Sequence, residues 1–259
     1  MSEIIIKVSG LQKSYKENHV LKDVSFTIEK GSIFALLGSN GAGKTTVFNA
    51  VTGVVKPTDG AVYFNGKRLN GCRPDKIAHM GIARTFQNIR IYPKMSVCEN
   101  VAIGLNSVPP YTALEAMLCT PKVRKKEREA FEKALEFLEM VGLQDFSDQE
   151  AGALPYGLQR KLEIARALAT KPKLLFLDEP AAGMNTGESI ELVQFLRQIH
   201  ENTGLAIVLI EHHLEVVMEV CKNITVLNLG TLLATGTPQE IQNNPQVIKA
   251  YLGERRKKQ

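Results

Sequence analysis

Apolar residues recur along the chain with two spacings, and the change from one to the other divides it. Near the N-terminus the period is two. Val24, Phe26 and Ile28 alternate with Ser25 and Thr27, the pattern of a strand with one face on a core. VYFNGKRL carries Asn65-Gly66 between extended flanks, the pair preferred in a type I′ hairpin turn. IFALL, Ile33 to Leu37, is a short apolar run that stops at Gly38 and predicts a strand buried on both faces. After a glycine-rich stretch, KTTVFNAVTGVV predicts a helix that ends before KPTDG.

From about Val123 the spacing becomes helical. Ala130, Ala134, Phe137 and Val141 fall on one face with Lys and Glu between them, and Gly142 is placed to cap the end. A helix starting near Gly157 is expected to bury Leu158, Leu162, Ala165 and Ala169. KLLFLDEP predicts a second buried strand, and Ile190, Val193, Leu196 and Ile199 mark the helix after it. LAIVLIEHH predicts a third buried strand followed by a helix through Val220, and NITVLNLG one more strand. Thr237, with Glu240 in the matching position of a capping box, predicts a C-terminal helix start. Strands alternating with helices imply parallel pairing and an α/β core. The expected division is a core from residues 1–87 and 169–259, with an antiparallel β region at its N-terminal end, and a helical insertion over 88–168. No internal repeat is present, and the biased segment is the terminal ERRKKQ.

Composition narrows the class without changing that outline. With 259 residues, 44% of them hydrophobic, the chain can bury a sizeable core in one large domain or one domain with a subdomain. Charged residues make up 23% and the formal net charge is +5, mild basicity that ordinary solubility explains and that is no signature of nucleic-acid binding. The run KVRKKERE reads either as a solvated face or as a docking face. Cys72, Cys98, Cys119 and Cys221 form no C-x-x-C pair and have no zinc-like histidine spacing, so free thiols in a reducing cytosol are expected. MSEIIIKVSG is not a signal peptide, and no apolar run is long enough to span a bilayer. The expectation is a chain soluble by itself that can dock on a membrane protein.

Candidate chemistry begins after the first buried strand. Gly38, Ser39, Asn40, Gly41, Ala42, Gly43, Lys44 and Thr45 match G-x-x-x-x-G-K-[ST], with Thr46 following. The motif stands between a strand and a helix, the context in which it binds phosphate. Its glycines let successive N–H groups point inward, and the helix dipole adds positive charge at the same point. Lys44 is expected to reach the outer phosphates and the Thr45 hydroxyl to ligate Mg²⁺. KLLFLDEP puts Asp178 at the carboxyl end of a central strand, where open α/β sheets bind ligands. Asp178 is the candidate Mg²⁺ carboxylate and Glu179 the candidate base for an attacking water. Tyr15 offers a ring that can stack on a purine, or simply pack on the sheet edge. Gln87, in ARTFQN, offers an amide for Mg²⁺ and water. His212, in LIEHH, offers an imidazole for a γ-phosphate or a purely structural hydrogen bond.

These motifs, in this order, resemble an ABC-transporter ATP-binding subunit over nearly the whole chain. The resemblance rests on GSNGAGKT, the Gln of TFQN, LPYGLQR as a signature-like motif, LLFLDEP as Walker B, AAGMN as a D-loop and the His of LIEHH. It implies a P-loop NTPase (ABC ATPase) core with a parallel sheet, an antiparallel β subdomain and an inserted α-helical subdomain. It implies ATP and Mg²⁺ as ligands. It further implies a head-to-tail pair of ATP-binding subunits, identical or related, in which Leu154, Pro155, Tyr156, Gly157, Leu158 and Gln159 of one chain meet ATP held by the other. The D-loop residues are Ala182, Gly183, Met184 and Asn185. A narrower resemblance, carried by the long insertion, LEIARALAT, LDEPAAGMN and the ending GTPQEIQNNPQVIKAYLGE, is to branched-chain amino acid uptake systems. That implies two transmembrane permease subunits, an extracytoplasmic solute-binding protein and a place on the cytoplasmic face of the cell membrane. Three features depart from the family pattern: Pro155 stands where serine is usual, Leu158 where glutamine is, and Asn185 where aspartate is common. Three rival readings stay open: a motor for another solute such as urea, an amide or a lipid; a soluble ABC ATPase acting on DNA or the ribosome; and a GTPase switch, for which no N-K-x-D motif is present.

Overall fold

The structure, a computed structural model, describes residues 3–105, 111–211 and 214–255. His212 and the basic tail residues Arg256, Lys257 and Lys258 lie outside the described residues. The chain runs β1 (Ile4–Tyr15), β2 (Asn18–Glu29), β3 (Ile33–Gly38), α1 (Lys44–Val51), β4 (Asp59–Phe64), β5 (Lys67–Arg68), α2 (Pro74–His79) and β6 (Ile82–Arg84). It continues through α3 (Val97–Leu105), α4 (Ala113–Met117), α5 (Pro121–Met140) and α6 (Tyr156–Ala169). It returns through β7 (Leu174–Asp178), α7 (Thr186–Thr203), β8 (Ala206–Glu211), α8 (Leu214–Val220), β9 (Asn223–Asn228), β10 (Thr231–Gly236), α9 (Pro238–Gln242) and α10 (Pro245–Arg255). Two compact units result: Met1–Gln87 with Lys173–Gln259, and Asn88–Pro172. Among the described residues no helix is long and apolar enough to cross a membrane.

The first unit holds two sheets. One is antiparallel with strand order β2-β1-β4-β5; the other has the order β10-β9-β3-β8-β7-β6. The second sheet is parallel except for β10, which returns antiparallel to β9. Every residue of β3, β7 and β8 is buried, as expected for strands covered on both faces. On β2, Val24 and Ile28 are buried and Phe26 half-buried while Ser25 and Thr27 face out. Phe26 stacks on Phe34 of β3 with ring centroids 5.6 Å apart, tying the two sheets into one core. Asn65 and Gly66 have φ of 47° and 76° and join Phe64 to its partner Lys67, as a type I′ turn requires.

Several details differ from the sequence reading. Helix α1 stops at Val51 rather than running on through Val55. Gly53 takes a left-handed φ of 73°, and the Thr52 hydroxyl bonds back to the Phe48 carbonyl at 2.7 Å. The apolar run VTGVV concealed this end. The sequence shows no sign of strands β6 and β10, because a three-residue strand with one buried side chain and a strand without a buried face carry little periodic signal. On α7, Ile190 is exposed and Leu192 and Phe195 are buried beside Val193, Leu196 and Ile199.

In the second unit α5 buries Val123, Ala130, Ala134 and Leu138, with Phe137 half-buried. Gly142 ends it at φ 69°. The Leu143 amide reaches the Leu138 carbonyl at 2.8 Å and the Gly142 amide the Glu139 carbonyl at 3.1 Å, the pair of bonds of a Schellman cap. Helix α6 buries Leu162, Ala165 and Ala169, but Leu158 is only half-buried. The inner face of α6 holds an ion pair instead: Arg160 Nη1 meets Glu163 Oε2 at 2.8 Å with both side chains buried. Glu163 Oε1 accepts from the Arg90 amide at 3.0 Å.

Candidate functional site: a phosphate loop and two acidic residues

The loop after β3 is shaped by two glycines whose positions admit no side chain. A Cβ at Gly38 would lie 2.5 Å from the Leu227 carbonyl oxygen. Gly43 has φ 102°, and a Cβ there would lie 2.7 Å from Leu21 Cδ2. The loop is also clamped from outside, because the Ala42 carbonyl accepts from the Gly230 amide at 3.0 Å. Lys44 is buried and donates to the carbonyls of Gly38 at 2.6 Å and Ser39 at 3.0 Å. Thr45 and Thr46 lie in the first turn of α1, the positive end of the helix dipole. The loop from Ser39 to Thr46 lines a cleft of about 630 Å³ together with Val20, Gln87, Glu179, Ala182 and Gly183.

Asp178 ends β7 and is buried. Burial pushes its carboxyl up from the ordinary value; the hydrogen bond and charge of Arg84 pull it down, the Glu179 charge pushes it up again and Lys44 opposes. Arg84 Nη2 lies 2.9 Å from Asp178 Oδ2. Glu179 follows in a left-handed conformation, φ 46°, with its amide on the Ile210 carbonyl at 2.9 Å. This turn brings Glu179 Oε2 within 2.9 Å of Gln87 Nε2. The structure therefore brings together, in one unit, residues drawn from positions 38–46, 87 and 178–183 of the chain.

The remaining expected residues fall elsewhere. Tyr15 ends β1, is 47% exposed, carries Lys13 Nζ 4.7 Å over its ring and does not line the cleft. Met184 and Asn185 do not line it either. Asn185 is the N-cap of α7: its side-chain Oδ1 accepts from the Glu188 amide at 3.0 Å, and the Glu188 carboxylate accepts from the Asn185 amide at 2.8 Å. In the second unit, Pro155 is the N-cap of α6 with φ −53° and ψ 151° and makes no side-chain cap. Leu154 is buried, Tyr156 is 43% exposed, and Gln159 Nε2 donates to the Leu154 carbonyl at 2.8 Å. A Cβ at Gly157 would meet nothing within 4 Å.

Two residues near the cleft escaped the sequence reading. Arg84 looks like any other arginine until the fold assembles its partners. Glu211, fully buried at the end of β8, accepts from the Ala181 amide at 3.0 Å and so holds the start of AAGMN. Its only sequence signal was a charge inside an apolar run.

The ABC transporter family matches residues 21–182, and the branched-chain amino acid ATP-binding cassette transporter family matches residues 231–257. The chain is similar to BraF, the high-affinity branched-chain amino acid transport ATP-binding protein of Pseudomonas aeruginosa: 42% identity over 98% of this chain and 100% of the relative. It is similar to LivG of Escherichia coli K12, with the same description, at 41% identity and the same coverage. Among solved structures, the ADP conformation of an ATP-binding cassette of an ABC transporter superposes with a TM-score of 0.85 at 31% identity, over 97% of this chain and 100% of that one. A dimeric cassette in a post-hydrolysis state, bound to ADP and Pi, gives 0.74 at 25% identity over 90% and 99%. The chain belongs to the ABC transporter family of ATPases, and within it to the branched-chain amino acid transport ATP-binding proteins.

Proposed function

We propose that this ABC ATPase energises uptake of branched-chain amino acids as one of two head-to-tail ATP-binding subunits beneath two transmembrane permease subunits. A solute-binding protein on the far side of the membrane would deliver the cargo, and the ATPase would sit on the cytoplasmic face. The observation that carries the reading is the cleft in which a phosphate loop faces Glu179, itself hydrogen-bonded to Gln87.

In this reading the inward-facing amides of Gly38 to Thr46 bind the phosphates of ATP, and Lys44 exchanges the Gly38 and Ser39 carbonyls for phosphate oxygens. Tyr15, exposed at the end of β1, presents a ring face for adenine. Glu179 accepts a proton from the attacking water, and Gln87 holds its carboxylate in place. His212 hydrogen-bonds the γ-phosphate. The Thr45 hydroxyl, the Gln87 amide and the Asp178 carboxylate are hard oxygen donors that suit Mg²⁺. When bound, Mg²⁺ supplies neutralisation of phosphate charge.

Support for pairing comes from Gly157. A glycine costs up to roughly 0.5–1 kcal/mol relative to alanine inside a helix and less in its first turn, and among the described residues nothing crowds the position. Close approach of a partner's nucleotide to the amide explains it. Leu154 to Gln159 of one chain then close on ATP held by the other, with Ala182 to Asn185 alongside.

The test is uptake and turnover in vesicles carrying the chain with its permease and binding protein. Leucine uptake should accompany ATP hydrolysis, and urea should not be carried. Glu179→Gln should still bind ATP but hydrolyse it roughly 10²–10⁴ times more slowly and accumulate an ATP-bound dimer. Near-normal turnover in that variant removes Glu179 from the role of base, and uptake of urea in place of leucine removes the solute assignment.

A further inference from the structure

We infer that Arg84 is a positioning residue for Asp178, holding the carboxylate in register with helix α1 and with the strand that leads to Gln87. Its guanidinium touches three parts of the site's frame. Nη2 meets Asp178 Oδ2 at 2.9 Å, with the two side chains only 11% and 7% exposed. Nη1 donates to Asn49 Oδ1 at 2.7 Å and to Thr52 Oγ1 at 3.1 Å, on the helix whose first turn carries Lys44 and Thr45. The same group lies over the rings of Phe48 at 5.3 Å and Phe86 at 5.0 Å, and Phe48 packs edge-on against Phe176 of β7 at 4.5 Å. Arg84 itself ends β6, three positions before Gln87.

A purely packing role accounts poorly for this arrangement. A buried guanidinium is costly to desolvate, and a well-packed apolar side chain would serve a core at least as well. Here the planar fork spans two polar residues of α1 on one nitrogen and a strand-end carboxylate on the other, a geometry that a point charge cannot copy. The partner carboxylate stands at the carboxyl end of a central parallel strand, where the ligand is expected. Outer groups that orient a metal-facing carboxylate typically change metal affinity 10–100-fold when removed. The inference rests on the reading of Asp178 as the Mg²⁺-facing carboxylate.

The experiment uses the full chain and a fluorescent ATP analogue, titrated in EDTA and then against MgCl₂. Arg84→Lys should leave binding in EDTA within about twofold while raising the half-saturating Mg²⁺ concentration roughly tenfold, and Arg84→Met should raise it further. Asn49→Ala, which removes one prop of the guanidinium and leaves the ion pair, should shift the Mg²⁺ midpoint the same way by less; it decides the matter if the Arg84 variants do not fold. An unchanged midpoint in the folded variants, or equal losses with and without Mg²⁺, overturns the inference in favour of a packing role. Asp178→Asn separates the two readings. If it leaves the Mg²⁺ midpoint unmoved, the assignment of Asp178 fails. If it shifts the midpoint and the Arg84 and Asn49 variants do not, the inference about Arg84 alone fails.

Discussion

At the scale of single residues, Pro155 is the sharpest departure from the family pattern. It sits at the N-cap of α6 in the extended conformation that a cap requires, and it supplies no acceptor for the first amides of the helix. A serine there would cap the helix, worth about 1 kcal/mol, and in the proposed head-to-tail pair would offer a hydroxyl to the partner's nucleotide, where a charge-assisted bond is worth roughly 1.5–3 kcal/mol. Pro155→Ser should therefore tighten ATP-driven dimerisation by about tenfold or more, read by sedimentation at several protein concentrations. No change in either dimerisation or ATPase rate sinks this account of the proline. Pro155 could be picked out of the sequence because a motif fixes its neighbours in the chain. Arg84 could not, because its meaning comes from Asn49, Thr52 and Asp178, which only the fold brings within 3.1 Å. Glu211 was hidden for the same reason, its partner amide lying thirty positions away.

At the scale of elements, capping explains a second departure. Asn185 replaces the usual aspartate yet completes a reciprocal capping box with Glu188 at the start of α7. Asparagine and aspartate cap about equally well, so Asn185→Asp should leave stability nearly unchanged. Asn185→Ala should lower it by about 1 kcal/mol in urea unfolding, and an alanine variant as stable as the parent would leave α7 without need of its cap. Helix ends were legible where a chemical signal marked them. Thr237 and Glu240 form the box their spacing announced, and Gly142 ends α5 in a Schellman cap. They were illegible where apolar residues continued past the end, as in VTGVV after α1. The burial of α6 departs from its apolar pattern for a different reason. Periodicity assigns charged residues to the outside, whereas Arg160 and Glu163 neutralise each other inside the helical unit and free Leu158 to be half-exposed.

At the scale of the whole molecule, the proposed pairing divides the site into what one chain completes by itself and what it would share with a second. The strand-loop-helix around Lys44 and the turn at Glu179 close on each other within a single unit. Gly157 has no such closure. Among the described residues nothing lies within 4 Å of where its side chain would stand, so the glycine is either an uncompensated cost or a surface kept bare for a second copy or relative. Both possibilities predict a more stable chain on substitution by alanine, and they part over activity. Gly157→Ala should raise the stability of the isolated chain by at most roughly 0.5–1 kcal/mol, the value for a helix interior, since alanine is the better helix former. If the surface is kept bare for pairing, it should nonetheless lower ATPase activity, because a methyl group would then stand where the proposed partner's phosphate approaches the amide. Urea unfolding of the dilute chain checks the first effect, and turnover across a concentration series checks the second. In the parent, specific activity should fall on dilution as pairs dissociate; in Gly157→Ala that fall should begin at higher concentration. A variant that is stabilised and fully active, or a parent that hydrolyses ATP at full speed where no pairing occurs, would mean that each chain finishes the reaction alone.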